Sequence, residues 1–185
     1  KALSGGVTID SINAGDTVKL NKTGGLTETI KLKSAAGNGT DPHTTITGLA
    51  SGDKLDVSGA FTSASNISGS FSAVSGNTTI SATSKAYYFS GDVSNIDFTE
   101  QNLGQALFNA IKTANSTISS ISVSSTAKAI FALNSGDGNA YLFSVEGKSS
   151  GSITDANKAT VKLLAVVDNT IDSNDNVSSG SITFA

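Results

Sequence analysis

Short alternating runs, each closed by a Gly, Asn or Asp turn, recur along most of this sequence. That punctuation constrains the fold more than any other feature, because strands spaced about 8–12 residues apart favour a sandwich, a barrel or a β-solenoid. Val7–Ile12 alternates with Val7 and Ile9 on one face. Thr17–Leu20 follows the Ala14-Gly15-Asp16 turn. Across Leu26–Lys33, Leu26, Glu28, Ile30 and Leu32 oppose Thr27, Thr29, Lys31 and Lys33. Thr44–Leu49, Lys54–Val57, Gly69–Val74, Thr78–Ala82 and Lys85–Ser90 read as further strands, and Gly37–Pro42 is the strongest breaker.

The second half repeats the pattern at Thr117–Val123, Ala127–Leu133, Ala140–Glu146 and Ser181–Phe184. Tyr141, Phe143 and Val145 share one face. Thr160–Val167 is almost continuously apolar, as a central strand buried on both sides must be. Only Glu100–Ala114 carries helical spacing, with Leu103, Ala106, Leu107, Ala110, Ile111 and Ala114 on one stripe. Thr99 is its expected N-cap, and Phe98 its staple against Leu103. The stripe is wide enough to pack on one sheet. The expected fold is therefore all-β, with β-solenoid or β-sandwich layers and one amphipathic helix near 100–114. A solenoid-like or roll-closing segment over 1–58 precedes a sandwich-like domain over 59–185.

Composition removes whole classes of function. All 12 basic residues are Lys against 15 acids, so a phosphate-backbone binder of nucleic acid is excluded. No apolar run approaches the ~18–20 residues of a membrane helix. With no Cys there is neither a disulfide framework nor a thiolate metal site. Ser, Thr and Gly make up 70 of the 185 residues, a polarity suited to exposed strand faces and turns. His43 is the one base titrating near neutrality, and no G-x-S-x-G elbow precedes any Ser. The chain reads as no enzyme.

Two loops hold oxygen ligands. Asp168-Asn169-Thr170-Ile171-Asp172-Ser173-Asn174-Asp175-Asn176 is the densest. It opens like an EF-hand, but Val177 and Thr183 stand where that loop needs Gly and Glu. Gly37-Asn38-Gly39-Thr40-Asp41 fits the core of a glycine-rich calcium repeat, G-G-x-G-x-D-x-U-x, with Ala36 in place of the first Gly. For both, the alternative is a solvated turn. Asp168, Asp172, Asn174, Asp175 and, behind them, Asp41 are the expected calcium ligands. Asp137, in the Asn134-Ser135-Gly136-Asp137-Gly138 turn, is explained by the turn itself.

Two segments resemble the RTX-type proteins that bacteria export by type I secretion. Thr45-Ile46-Thr47-Gly48-Leu49-Ala50-Ser51-Gly52-Asp53-Lys54-Leu55-Asp56-Val57-Ser58 is similar to their I-x-x-F-x-x-G-D-K-L-D-L-S segment, with Leu49 for the usual aromatic. The stretch Ala129–Ala185, closing on Gly180-Ser181-Ile182-Thr183-Phe184-Ala185, is similar to their C-terminal modules. Among them, surface-layer (S-layer) proteins share the Arg-free, Ser/Thr-rich character. The resemblance implies a secreted cell-surface protein, self-associating into a lattice, supported by calcium and carrying its export signal at the C-terminal end. The alternative is a secreted adhesin module that binds a host or glycan surface. Adjacent Tyr87, Tyr88 and Phe89 are expected to leave one ring exposed for it.

Overall fold

The computed structural model describes residues 7–12, 15–20, 27–32, 43–49, 52–62, 67, 69–74, 79–82, 85–98, 103–168 and 183–184. It is mostly β with a single helix among the described residues, and its sheets do not close into a barrel. The first strands are β1 (Thr8–Ile12), β2 (Thr17–Lys19), β3 (Thr29–Leu32), β4 (Thr44–Thr47) and β5 (Lys54–Asp56). They lie where alternation placed them, and they visit two sheets in turn. β1 pairs with β3 and β3 with β5, all parallel, while β2 pairs with β4, also parallel. This is the winding of a two-sided parallel β-coil.

The coil is filled by apolar side chains repeated in register from strand to strand. Ile9, Ile30, Leu55 and Phe184 align across one sheet. Val18, Ile46, Val167 and Ala140 align across the other. Period-two alternation directs both columns inward, and Ile30, Ile46 and Leu55 are fully buried. Just ahead of β5 the backbone turns on a glycine, Gly52, with φ of 100°, and the next residue, Asp53, accepts the Glu28 amide at 3.0 Å. The buried Asp53 carboxylate thus extends the β3–β5 ladder by one rung.

After a short 3-10 turn at Ser58–Ala60 come β6 (Gly69–Ser70), β7 (Ser72–Ala73), β8 (Thr79–Ala82) and β9 (Lys85–Ser90). The helix α1 (Gly104–Ala114) follows. The remaining strands are β10 (Ser120–Val123), β11 (Lys128–Asn134), β12 (Asn139–Gly147), β13 (Gly151–Ser152), β14 (Ala159–Asp168) and β15 (Thr183–Phe184). Gly69–Val74, expected as one strand, is two, because the chain crosses between sheets at the buried Phe71, whose ring packs edge-on against Phe184. The helix starts at Gly104 with Leu103 at its N-cap and no side-chain cap. The expected cap, Thr99, and the residues from it to Asn102 lie outside the described residues. Leu103, Leu107, Ala110 and Ile111 are buried as expected, but Ala114 is exposed.

The sheets run β1-β3-β5-β15-β6, β13-β10-β8 and β2-β4-β14-β12-β11-β9-β7. The seven-stranded sheet is the middle layer. One face packs on the five-stranded sheet through Ile130, Ala132, Leu142 and Leu164. The other packs on α1 and the three-stranded sheet through Phe89, Phe131, Leu133 and Phe143. β14 is an interior strand, buried on both faces from Leu163 to Val167, while Thr160 and Lys162 ahead of them are half-buried. A bulge at Leu164 keeps both faces apolar. Leu142 pairs with Ala165 but Phe143 pairs with Leu163, so one extra residue resets the alternation. Strands on either side of position 58 share sheets, β4 with β14 and β5 with β15. The rings of β9 do not face solvent. Tyr87 and Phe89 are buried and Tyr88 is half-buried against the coil core, which corrects the expectation of an exposed ring there.

Candidate functional site

Six of the seven strands in the central sheet run the same way, and β12 alone opposes them. The carboxyl ends of β4, β9, β11 and β14 and the start of β12 therefore meet at one rim. Open sheets with parallel strands commonly bind ligands outside such carboxyl ends. Asp168, the one expected calcium ligand among the described residues, is half-buried at this rim. It stands in register between Thr47 and Asn139. Asp172, Asn174, Asp175 and Asp41 lie outside the described residues.

For calcium, which takes about 6–8 oxygens, the described residues offer Asp168 with the neighbouring Thr47 and Asn139. Among the described residues, no three His, Asp or Glu side chains form a metal-binding group. His43 is exposed just ahead of β4, at the opposite rim, and partial desolvation lowers its pKa.

The β11–β12 hairpin places Asp137 beside that rim. Its carboxylate accepts the Asn139 amide at 3.0 Å, the Asn139 side chain at 3.2 Å and the Tyr141 hydroxyl at 2.8 Å. Desolvation pushes the Asp137 carboxyl up, but these bonds and one from Ser135 outweigh it and hold it below its ordinary range. The same environment raises Tyr141 to about 12, chiefly by desolvation and then by the bond to Asp137. The half-buried Tyr141 ring stacks on Phe98 at 5.7 Å. The expected turn role of Asp137 is thus visible atom by atom.

Sequence reading missed Asp92. It follows β9 and accepts the Ser94 amide at 2.9 Å and the Ser94 hydroxyl at 2.8 Å. Those bonds lower its pKa, against desolvation and the nearby Asp137 charge. Asp92 and Thr113 line two adjoining cavities of about 240 and 600 Å³. The smaller runs along α1, past Gln105 and Asn109; the larger reaches Ser135 and Asp137. Asn115 fixes the helix end to this rim. Its side-chain amide donates to Ile111 O at 3.0 Å and to Ser90 O at 3.1 Å. The Gln105, Asn109 and Thr113 ladder at i, i+4 and i+8 was readable, as was the Asp92-x-Ser94 turn. Their meeting across the groove was not.

A second candidate surface is the first winding of the coil. Among the described residues, β1 and β2 are edge strands of their respective sheets at the same end of the coil. Thr8, Thr17 and Lys19 are exposed, and Val7, beside β1, is the one exposed large apolar side chain among the described residues, at 37%. Asp10 is 4.0 Å from Lys31 across exposed positions, an ion pair of little strength. No protein-family model, curated protein or solved structure matches the chain.

Proposed function

We propose that this chain is a structural component of a bacterial surface layer. In this reading it is exported by type I secretion, supported by calcium and built to join copies of itself at the cell surface. The observation that carries the reading is the open end of the parallel coil. Two strand edges, β1 and β2, face the same way there. Proteins that stay monomeric blunt such edges with Lys, Pro or bulges. Here the described edge residues include one Lys, Lys19, and no Pro; β1 does carry an exposed Asp10 and a break in register between Ile9 and Ile12, so its Thr8 end beside Val7 is the less guarded part. The Ser/Thr-rich faces add modest contacts that gain force when each copy has several neighbours. A heterologous edge contact also propagates rather than closing on itself.

The reading is tested by sedimentation and electron microscopy with calcium and with chelator. The parent chain is expected to form ordered arrays with calcium. A variant carrying Thr8→Lys and Thr17→Lys, both on exposed edge positions, is expected to stay monomeric with an unchanged circular dichroism spectrum. An unaltered parent that remains monomeric at every concentration overturns the reading, as does a double-lysine variant that assembles equally well. Calcium bound only by the folded state adds RT ln(1 + [L]/Kd) to stability. A melting curve indifferent to chelator therefore removes calcium from the proposal.

A further inference from the structure

We propose that the groove between the β9–α1 connection and the outer face of α1 binds a neutral, hydroxyl-rich ligand of the oligosaccharide class. The inference does not rest on the array reading, since it concerns a different surface. Five polar side chains converge on the smaller cavity: Asp92 and Asn95 from the connection, and Gln105, Asn109 and Thr113 from the helix. Spacing of four residues puts the helical three in one row. Gln105 Nε2 donates to Asn109 Oδ1 at 2.8 Å. That bond leaves the Gln105 carbonyl as an acceptor and the Asn109 amide as a donor side by side. The floor between these groups is apolar, made by Ile96, Ala106 and Ala110.

The chemistry of the lining selects the ligand class. Among the described residues no basic side chain lines either cavity, so none of them offsets the charge of a phosphate or carboxylate. The two carboxylates, Asp92 and Asp137, already accept bonds from Ser94, Asn139 and Tyr141. They are oriented for donors, not gathered around an ion that needs about six or more oxygens. Each carboxylate oxygen has more than one lone pair, so a ligand hydroxyl can still donate to it. A sugar presents adjacent hydroxyls, each donor and acceptor, around a ring whose C–H face is apolar. Amides, one carboxylate and a threonine hydroxyl match the first; the Ile96-Ala106-Ala110 floor matches the second. The larger cavity, about 600 Å³, is within the usual range of about 300–1,000 Å³ for small-molecule sites. Because it adjoins the smaller one at Asp92 and Thr113, the trough accepts more than one ring.

The test is a nuclear magnetic resonance titration of the isotopically labelled chain with maltotriose, the neutral N,N′,N″-triacetylchitotriose and mannotriose in turn. At least one is expected to move the amides of Asn95, Asn109 and Thr113 saturably, with a Kd of about 1 mM, the strength of a few exposed hydrogen bonds. Asn109→Ala is expected to weaken that binding about tenfold, the loss of one polar partner, without changing the melting temperature. Asp92→Asn, which keeps an acceptor for Ser94, is expected to weaken it as well. Three results overturn the proposal: silence from all three sugars, shifts confined to other residues, or shifts unchanged in both variants. Movement of the same amides by calcium chloride or inorganic phosphate alone, with the sugars silent, overturns it in favour of an ion site. None of these outcomes bears on assembly through the coil end, which sedimentation reads separately.

Discussion

Tyr141 and Asp137 show how one hydrogen bond is written into two titrations. The tyrosine is raised from 10.0 to about 12 and the aspartate is lowered. For the raised tyrosine, the contribution to stability is whole below pH 10.0 and lost as pH climbs through about 12. For the lowered aspartate it is present above the ordinary carboxylate range and lost as pH falls through the depressed value. Asp137→Ala is expected to bring the Tyr141 ionisation down toward 10.0, still above it because desolvation remains. Phenolate absorbance against pH checks this, and Tyr141→Phe is expected to delete the high-pH phase. Glu28, just ahead of β3, faces Asp53, just ahead of β5, and titrates in the same sense as Tyr141. The Glu28 pKa is raised by its bond to Asp53, then by desolvation and by the Asp53 charge. Its favourable protonated contact is present below the ordinary glutamate range and is lost as pH rises through the raised value. Glu28→Gln keeps a donor toward Asp53 at every pH. It is expected to raise the melting temperature by a few degrees at pH 7 and to change it little in acid.

Elements were legible wherever a strand has one wet face or two dry ones. Alternation located β3 and β4, and the apolar run of Thr160–Val167 located β14 in the interior of its sheet. Two-residue strands carry no period, so β13 left no trace, and β6 and β7 merged into one. The helix face was readable because Leu103, Leu107 and Ile111 repeat at its pitch. The groove was not, since it needs the β9 connection to fold back on α1, a tertiary event without a local pattern. Asp168 was singled out for its acidic neighbours, and what the structure adds is its register beside Asn139 and Thr47. The winding of the coil also depends on close approach. Gly48 has φ of 80°, and a Cβ there would lie 2.4 Å from Leu20 O. Left-handed backbone with a side chain costs about 1–2 kcal/mol and the clash about 1–3 more. Gly48→Ala is therefore expected to destabilise the chain by about 3 kcal/mol in urea titration, with β2 and β4 pushed apart.

For the whole molecule, the two apolar cores lie back to back across one sheet, so neither is complete without the strands they share. Ile130 and Ala132 serve one core while Phe131 and Leu133, on the same strand, serve the other. Residues before position 58 are hydrogen-bonded to strands near the other end of the sequence. Unfolding is accordingly expected to be a single transition, with circular dichroism and tyrosine fluorescence coincident in urea. Two separated transitions would show that the coil and the helix-bearing side melt independently. Phe131→Ala, which opens a cavity beside Tyr87 and Phe89, is expected to cost about 3–5 kcal/mol and to lower both signals together.

The long reach of those pairings has a consequence in time. Thr44 lies against Ala165, and Lys54 against Thr183. Neither large sheet can be whole until residues far along the chain have emerged and found partners made much earlier. Loops of that span close slowly, and folding rates fall as contacts become more distant in sequence. During synthesis the early strands wait, unpaired on one side, for β14 and β15. A polypeptide that matures this late spends longer as an open chain, with its early strand edges exposed to whatever else is nearby.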